Sequence, residues 1–364
     1  MEATAKNGKL KNTFSGAARQ ILVSASAVIV AVFLGMLLIL LMGKDPITAF
    51  GALIQGAFGS MNSFGETIIK VTPLLFTGMS YALASRCGLT NLGMEGQMYM
   101  GAFTSSVIAI FVQLPAVIHI PLCIIAGFIG GGLWGLLAGW LKTQFGASEV
   151  ITTVMLNTIA IHFVDFMVTD PARMMEPGGV SGQSSPLLET ARLSVLIPKT
   201  RAHWGIVIGL AFIVLFWVFL FKSKKGYEVR VSGFNMQAAQ YSGINTKQNI
   251  LLVMALAGGL AGLAGACEVM GIQGRLYSGF SPGYGFDGIA VALIGMNSPI
   301  GIIFGALLFG AFRAGGNRMQ MKAQVPFPIV NVIQAIVIMA VVASQMLLGI
   351  WDDVKLKKTN TSNR

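Results

Sequence analysis

Apolar runs separated by short polar breaks recur along the chain, near 20–42, 68–85, 91–112, 118–141, 148–168, 204–222, 249–270, 285–297, 299–314 and 328–350. Most approach the length of about 20 residues that a helix needs to cross roughly 30 Å of hydrocarbon. Inside lipid, every backbone N–H and C=O has to be satisfied, which a helix does within its own segment and an isolated strand does not. The pattern predicts an all-α, polytopic membrane protein with about ten transmembrane helices. The first run, Ile21 to Met42, is longer than a signal-peptide core and lacks a small-residue cleavage site, so it reads as a retained span.

Composition agrees: 11% of the residues are charged and 54% are hydrophobic, where soluble domains carry about 25% charged residues. The net charge of +11 does not form a basic stripe interleaved with aromatics, so it implies membrane lipid as a partner and no nucleic acid. Lys6, Lys9, Lys11 and Arg19 precede the first span, Lys222, Lys224, Lys225 and Arg230 follow the sixth, and Lys355, Lys357 and Lys358 follow the last. By the positive-inside rule all three groups are expected in the cytoplasm. The expected map is a cytoplasmic tail at 1–19, a membrane domain at 20–350 and a second cytoplasmic tail at 351–364. Within the membrane domain, 223–248 forms a cytoplasmic loop and 169–203 an ordered extracytoplasmic one. Arg313, Arg318 and Lys322 oppose this scheme, and a re-entrant pair over 285–314 is the alternative there.

Several chemistries find no support. Cys87, Cys123 and Cys267 lie far apart and read as packing residues, and His119, His162 and His203 are isolated, so no metal site is expected. No GxxxxGK[ST] occurs, so no nucleotide cofactor is expected on this chain, and any ATP must be hydrolysed on another one. No nucleophile–base pair can be assembled from motif spacing, which argues against an enzyme. Glycines at helical spacing, Gly131, Gly135 and Gly139, Gly258 and Gly262, Gly301 and Gly305, predict close helix packing.

Two stretches resemble each other: GLTNLGMEGQMYMG at 88–101 and GYGFDGIAVALIG at 283–295, each followed by apolar spans. Read in opposite orientations they form inverted repeats of the kind transporters use, with chance similarity of glycine-rich segments as the alternative. Asn91, Glu95, Gln97 and Tyr99 open the third span, with Asn91 a candidate helix cap and Glu95 and Tyr99 on one face. Phe286 and Asp287 are their counterparts in the second stretch, and Asn157 lies on the fifth span with Glu149, His162 and Asp165. Intramembrane polar groups of this kind either line a translocation path or tie broken helices together, and both readings stay open. His162 and Asp165 suit a surface pair or a proton relay, and Glu268 stands near the end of the seventh span. In the loop after the sixth span, Asn235 caps a predicted short helix over Met236 to Tyr241 that Gly243 ends. Ala238 and Ala239 give that helix small contact surfaces suited to docking in a partner's groove.

Three motifs carry a resemblance: GLTNLGMEGQMYMGA at 88–102, ASEVITTVMLN at 147–157 and VSGFNMQAAQYSGIN at 231–245. Over residues 66–345 the chain resembles the permeases of ABC importers for simple sugars, nucleosides and branched-chain amino acids, and the first motif is most similar to the nucleoside type. The resemblance implies a multi-pass subunit of the bacterial cytoplasmic membrane with both termini inside. Its implied partners are a second, paralogous permease, cytoplasmic ATPases carrying ATP and Mg, and an extracytoplasmic substrate-binding protein or lipoprotein. It maps a coupling helix onto 235–243, with Gly233, Asn235, Gln237, Ala238, Ala239, Ser242 and Gly243 as the coupling residues. A ribose-like sugar permease is the alternative within the family. An ion-coupled transporter using Glu95, Asp287 or His162 with Asp165 is the alternative outside it.

Overall fold

The computed structural model describes residues 26–179 and 182–344. The charged tails, with Lys6, Lys9, Lys11, Arg19, Lys355, Lys357 and Lys358, lie outside the described residues. The structure is all-α: among the described residues there are helices and three isolated β-bridges, and six helices are long and apolar enough to cross a membrane. The described residues divide into two compact units, one from the 26–56 and 315–344 stretches and one from those between 57 and 314.

The first unit contains α1 (Ser26–Leu41), α2 (Pro46–Phe58) and α13 (Pro328–Ser344), with the end of α12 (Pro299–Ala323). The apolar-run reading passed over α2, whose 13 residues extend only about 20 Å. Asp45 starts it by accepting the amides of Ile47 at 3.0 Å and Thr48 at 3.1 Å, and these bonds with the Thr48 hydroxyl hold its carboxyl below the usual range. Gly56 abuts Gly315, where an added Cβ would stand 2.9 Å from the Gly315 Cα. Arg318 and Lys322 pack on α2 as well, Arg318 beside Gly56 and Lys322 donating to Gln55 at 3.0 Å.

The second unit runs through α3 (Met61–Arg86), α4 (Met94–Phe111), α5 (Ala116–Phe145), α6 (Glu149–Thr169), α7 (Gly205–Lys222), α8 (Lys224–Phe234), α9 (Met236–Tyr241), α10 (Thr246–Glu268) and α11 (Tyr284–Ile294) into α12. Its core is a glycine seam. Gly131 and Gly135 of α5 meet Gly258 and Gly262 of α10, and Gly101 of α4 meets Gly262, so any side chain there would collide with facing backbone. A second seam places Gly78 of α3 against Val291 and Ile302, and Gly288 of α11 against Thr77. Thus α10 packs on α4 and α5, while α3 packs on α11 and α12. Each long helix packs on the pair that follows the other.

The runs at 285–297 and 299–314 are not two equal spans. α11 has 11 residues, a rise of about 16 Å and half a bilayer's hydrocarbon, whereas α12 has 25. Gly295 packs directly on Gly301 in the turn between them, and Met296 and Asn297 take positive φ. Arg313 therefore sits within a helix and not in a loop, which removes it from the loop charge count.

Candidate functional site

α4 and α11 start next to each other and run to opposite ends of the unit. α4 ends where the Leu188 amide donates to Ala109 at 3.1 Å. α11 ends where Arg86 donates to the Asn297 carbonyl at 3.1 Å and Asn297 donates to Ser85 at 2.9 Å. Where they start, Glu95 accepts the Gly285 amide at 2.7 Å, with Ser281 beside the carboxylate. In the first turn of α11, Asp287 accepts from Arg313 Nε at 2.6 Å, and the same guanidinium donates to the Pro282 carbonyl at 3.1 Å. Both carboxylates stand where the helix dipole is positive. Tyr99, buried, packs its ring 4.5 Å from that of Phe280.

The irregular stretch before α4 is held by a second set of groups. Asn157 of α6 donates to the Leu92 carbonyl and accepts the Gly96 amide, both at 2.8 Å, and Thr153 accepts the Leu92 amide at 3.3 Å. Asn91 and Gln97 exchange bonds at 3.0 and 3.2 Å. These bonds meet the need of non-helical backbone at membrane depth for protein partners. A Cβ on Gly93 would strike Thr153, and one on Gly96 would strike Asn157, so the glycines admit the α6 side chains. The cap of α4 is Gly93, not Asn91. Asn91 instead accepts the Gly93 amide at 2.9 Å, two residues on, and so shapes the turn before the helix.

The structure thus brings together Asn91, Gln97 and Asn157 in one network and Glu95, Tyr99 and Asp287 around the two helix starts. Phe286 joins neither and is half exposed. The five residues Asn91, Glu95, Gln97, Tyr99 and Asn157 are buried. Asp165 takes its hydrogen bond from Ser278 at 2.7 Å, and Glu149 pairs with Lys142 at 2.5 Å. Thr153 and Arg313 are partners that sequence reasoning missed. Arg313 was visible only as a charge breaking the orientation pattern, and a lone Thr in an apolar helix gives no signal.

α9 occupies the expected residues. Asn235 Oδ1 accepts the Ala238 amide at 2.9 Å, and Gly243 takes a φ of +82° past its end. Gln237, Ala238, Ser242 and Gly243 are exposed, as are Phe234 at 89% and Tyr241 at 95%. Ala239 is fully buried, so the expectation that it offers contact surface is corrected to Ala238 alone: every turn of a surface helix turns one residue inward. Gly233 is pressed against the Arg86 carbonyl and Gly88, and Asn249 ties α10 to Ser232 of α8 at 3.2 Å.

A multi-pass helical membrane protein with two helix starts meeting inside it, and a capped helix exposed at one end, has the make-up of a transporter's membrane subunit. The chain belongs to the family described as branched-chain amino acid transport system / permease component, whose model matches residues 63–342. It is 36% identical to a guanosine ABC transporter permease of Bacillus subtilis, over 93% of this chain and 98% of that one. It is 35% identical to a nucleoside ABC transporter permease of Lactococcus lactis, over 88% and 90% of the two chains. To a glucose ABC transporter permease of Haloferax volcanii it is 30% identical, over 87% and 86%. In the first two organisms a second permease of the same description is also similar, at 26% and 28% identity. No solved structure matches.

Proposed function

We propose that the chain is the permease of an ATP-driven importer of nucleosides, working with a paralogous second permease, cytoplasmic ATPase subunits and an extracytoplasmic binding protein in a bacterial cytoplasmic membrane. The observation that carries it is the similarity to a guanosine permease along nearly the whole of both chains. The paired permeases of the two nucleoside systems support a paralogous partner.

The site's electrostatics favour a neutral solute. Half-helix starts at a repeat interface are ready-made sites for anionic groups. Here Glu95 and Asp287 already occupy those positions, and Arg313 is spent on Asp287. A nucleoside needs no anion site, whereas an amino acid brings a carboxylate. The same occupancy supports fixed structural charges over ion-coupling groups.

The link to ATP runs through α9. Phe234 and Tyr241 project from its two ends as anchors for a groove, and Gly233 presses on Arg86 and Gly88, three residues before Asn91. Arg86 in turn holds the α11–α12 turn through Asn297. A pull on α9 therefore reaches both helices: α4 through the stretch before it and α11 through its far end. With the loop of α8 and α9 in the cytoplasm, closure of the ATPase dimer supplies that pull.

The test is the ATPase turnover of the reconstituted complex with its binding protein. Nucleosides should raise it and pentoses should not. Stimulation by a sugar with nucleosides inert would move the chain to the sugar branch.

A further inference from the structure

Next to the Glu95 contact, α3, α10 and α11 bring together polar groups that satisfy one another only in part: Gln273 hydrogen-bonds the Glu268 carboxylate, yet an oxygen of each is left over. Glu268, which ends α10, is 4% exposed, and its Oε2 has no hydrogen-bond partner among the described residues. Tyr284, which opens α11, is fully buried and its hydroxyl likewise has none. Gln273 donates to the Phe280 carbonyl at 3.2 Å, but its own Oε1 is unpartnered. Lys70, half-buried on α3, makes no hydrogen bond or ion pair among the described residues, and its Nζ lies 5.9 Å from the centre of the Tyr284 ring.

Unpaired buried carboxylates and hydroxyls are costly, and in a membrane protein such groups mark the route of a polar solute. Two further observations point the same way. The turn from Val269 to Gln273, directly after Glu268, is π-helical, a distortion frequent at functional sites. A cavity of about 340 Å³ lined by Asn62, Glu66, Lys199, Thr200 and Arg201 opens one helical turn from Lys70, since Glu66 and Lys70 share a face of α3.

We propose that Glu268, Tyr284, Gln273 and Lys70 form a solute-selecting station on the path, whose unpartnered acceptors and hydroxyl receive the vicinal hydroxyl groups of a neutral solute, as carried by the ribose of a nucleoside. This rests on the nucleoside reading. The two carboxylates at the helix starts are locked by protein partners, whereas the Glu268 oxygen is left for a ligand. Lys70 keeps the local charge near balance without closing on Glu268.

The experiment compares initial uptake of guanosine and 2′,3′-dideoxyguanosine by the complete complex in proteoliposomes. The parent should prefer the ribonucleoside. Glu268→Gln and Tyr284→Phe should each shrink that preference up to about tenfold, the scale of one hydrogen bond to a solute, read as a ratio at equal amounts of assembled complex. The same binding protein serves every variant, so its own selectivity cancels. Tyr284→Phe removes only a hydroxyl that no group among the described residues uses, so a purely structural role leaves the ratio unmoved. Equal handling of both solutes by the parent, or an unchanged preference in both variants at normal complex levels, overturns the station. If the parent takes up pentose and no nucleoside, the nucleoside reading falls, and ribose against 2-deoxyribose then decides the station by the same ratio.

Discussion

Single side chains in this protein act mainly as locks on irregular backbone. Glu95 shows it most clearly, because its carboxylate satisfies a buried amide of the other half-helix at 2.7 Å. Glu95→Gln keeps an acceptor there and should retain most ATP-dependent uptake, whereas Glu95→Ala strands the Gly285 N–H at a cost of about 1–3 kcal/mol and should lose most of it. Uptake normalised to assembled complex separates the two; equal loss in both would assign the charge itself a role. His203 gives a pH signature. Burial pushes its imidazole down to about 4 from an unfolded value near 6.5. The unfolded chain therefore binds more protons between those values, and stability present above pH 6.5 is lost as the pH falls toward 4. Thermal unfolding of the purified complex between pH 7.5 and 5 should show a drop that His203→Gln lessens. The candidate residues of the 88–101 stretch were legible because ionisable and amide side chains are conspicuous in an apolar run. Their partners were not, since Gly285 lies 190 positions from Glu95 and offers only a backbone amide. Lys70 carried the same signal as Glu95, a charge inside an apolar run, and went unused.

Among the elements, α9 was legible to the residue because its signals are local: a capping Asn, a helix-favouring centre and a glycine in the left-handed region. α8 was read as loop because its 11 residues carry no apolar stripe, and α11 was lengthened because an apolar run does not show how deep a helix begins. Ala238, exposed on α9, is the place to test docking. Ala238→Trp should leave the subunit inserted and the complex assembled while uptake falls steeply, and normal uptake would remove α9 from the coupling role. The glycine seam makes a different prediction. Gly131→Val drives a side chain into the Gly258 carbonyl, and overpacking of about 3 kcal/mol should reduce the amount of folded protein recovered in detergent. Wild-type recovery would show that the helices can part there without cost.

At the scale of the whole chain, the apolar runs and scarce charge made the fold class plain, because a bilayer admits few architectures. The glycine repeats pointed to close helix packing, and α3 packs on α11 and α12 while α10 packs on α4 and α5. In the proposed function ATP, and no ion gradient, drives a nucleoside along this path. Proteoliposomes holding the complete complex, with ATP supplied to the ATPase side and a proton ionophore present, put it to the test directly. Guanosine should accumulate at the same rate with and without the ionophore and stop when ATP is withdrawn. Accumulation that survives ATP withdrawal and collapses with the ionophore would contradict the account.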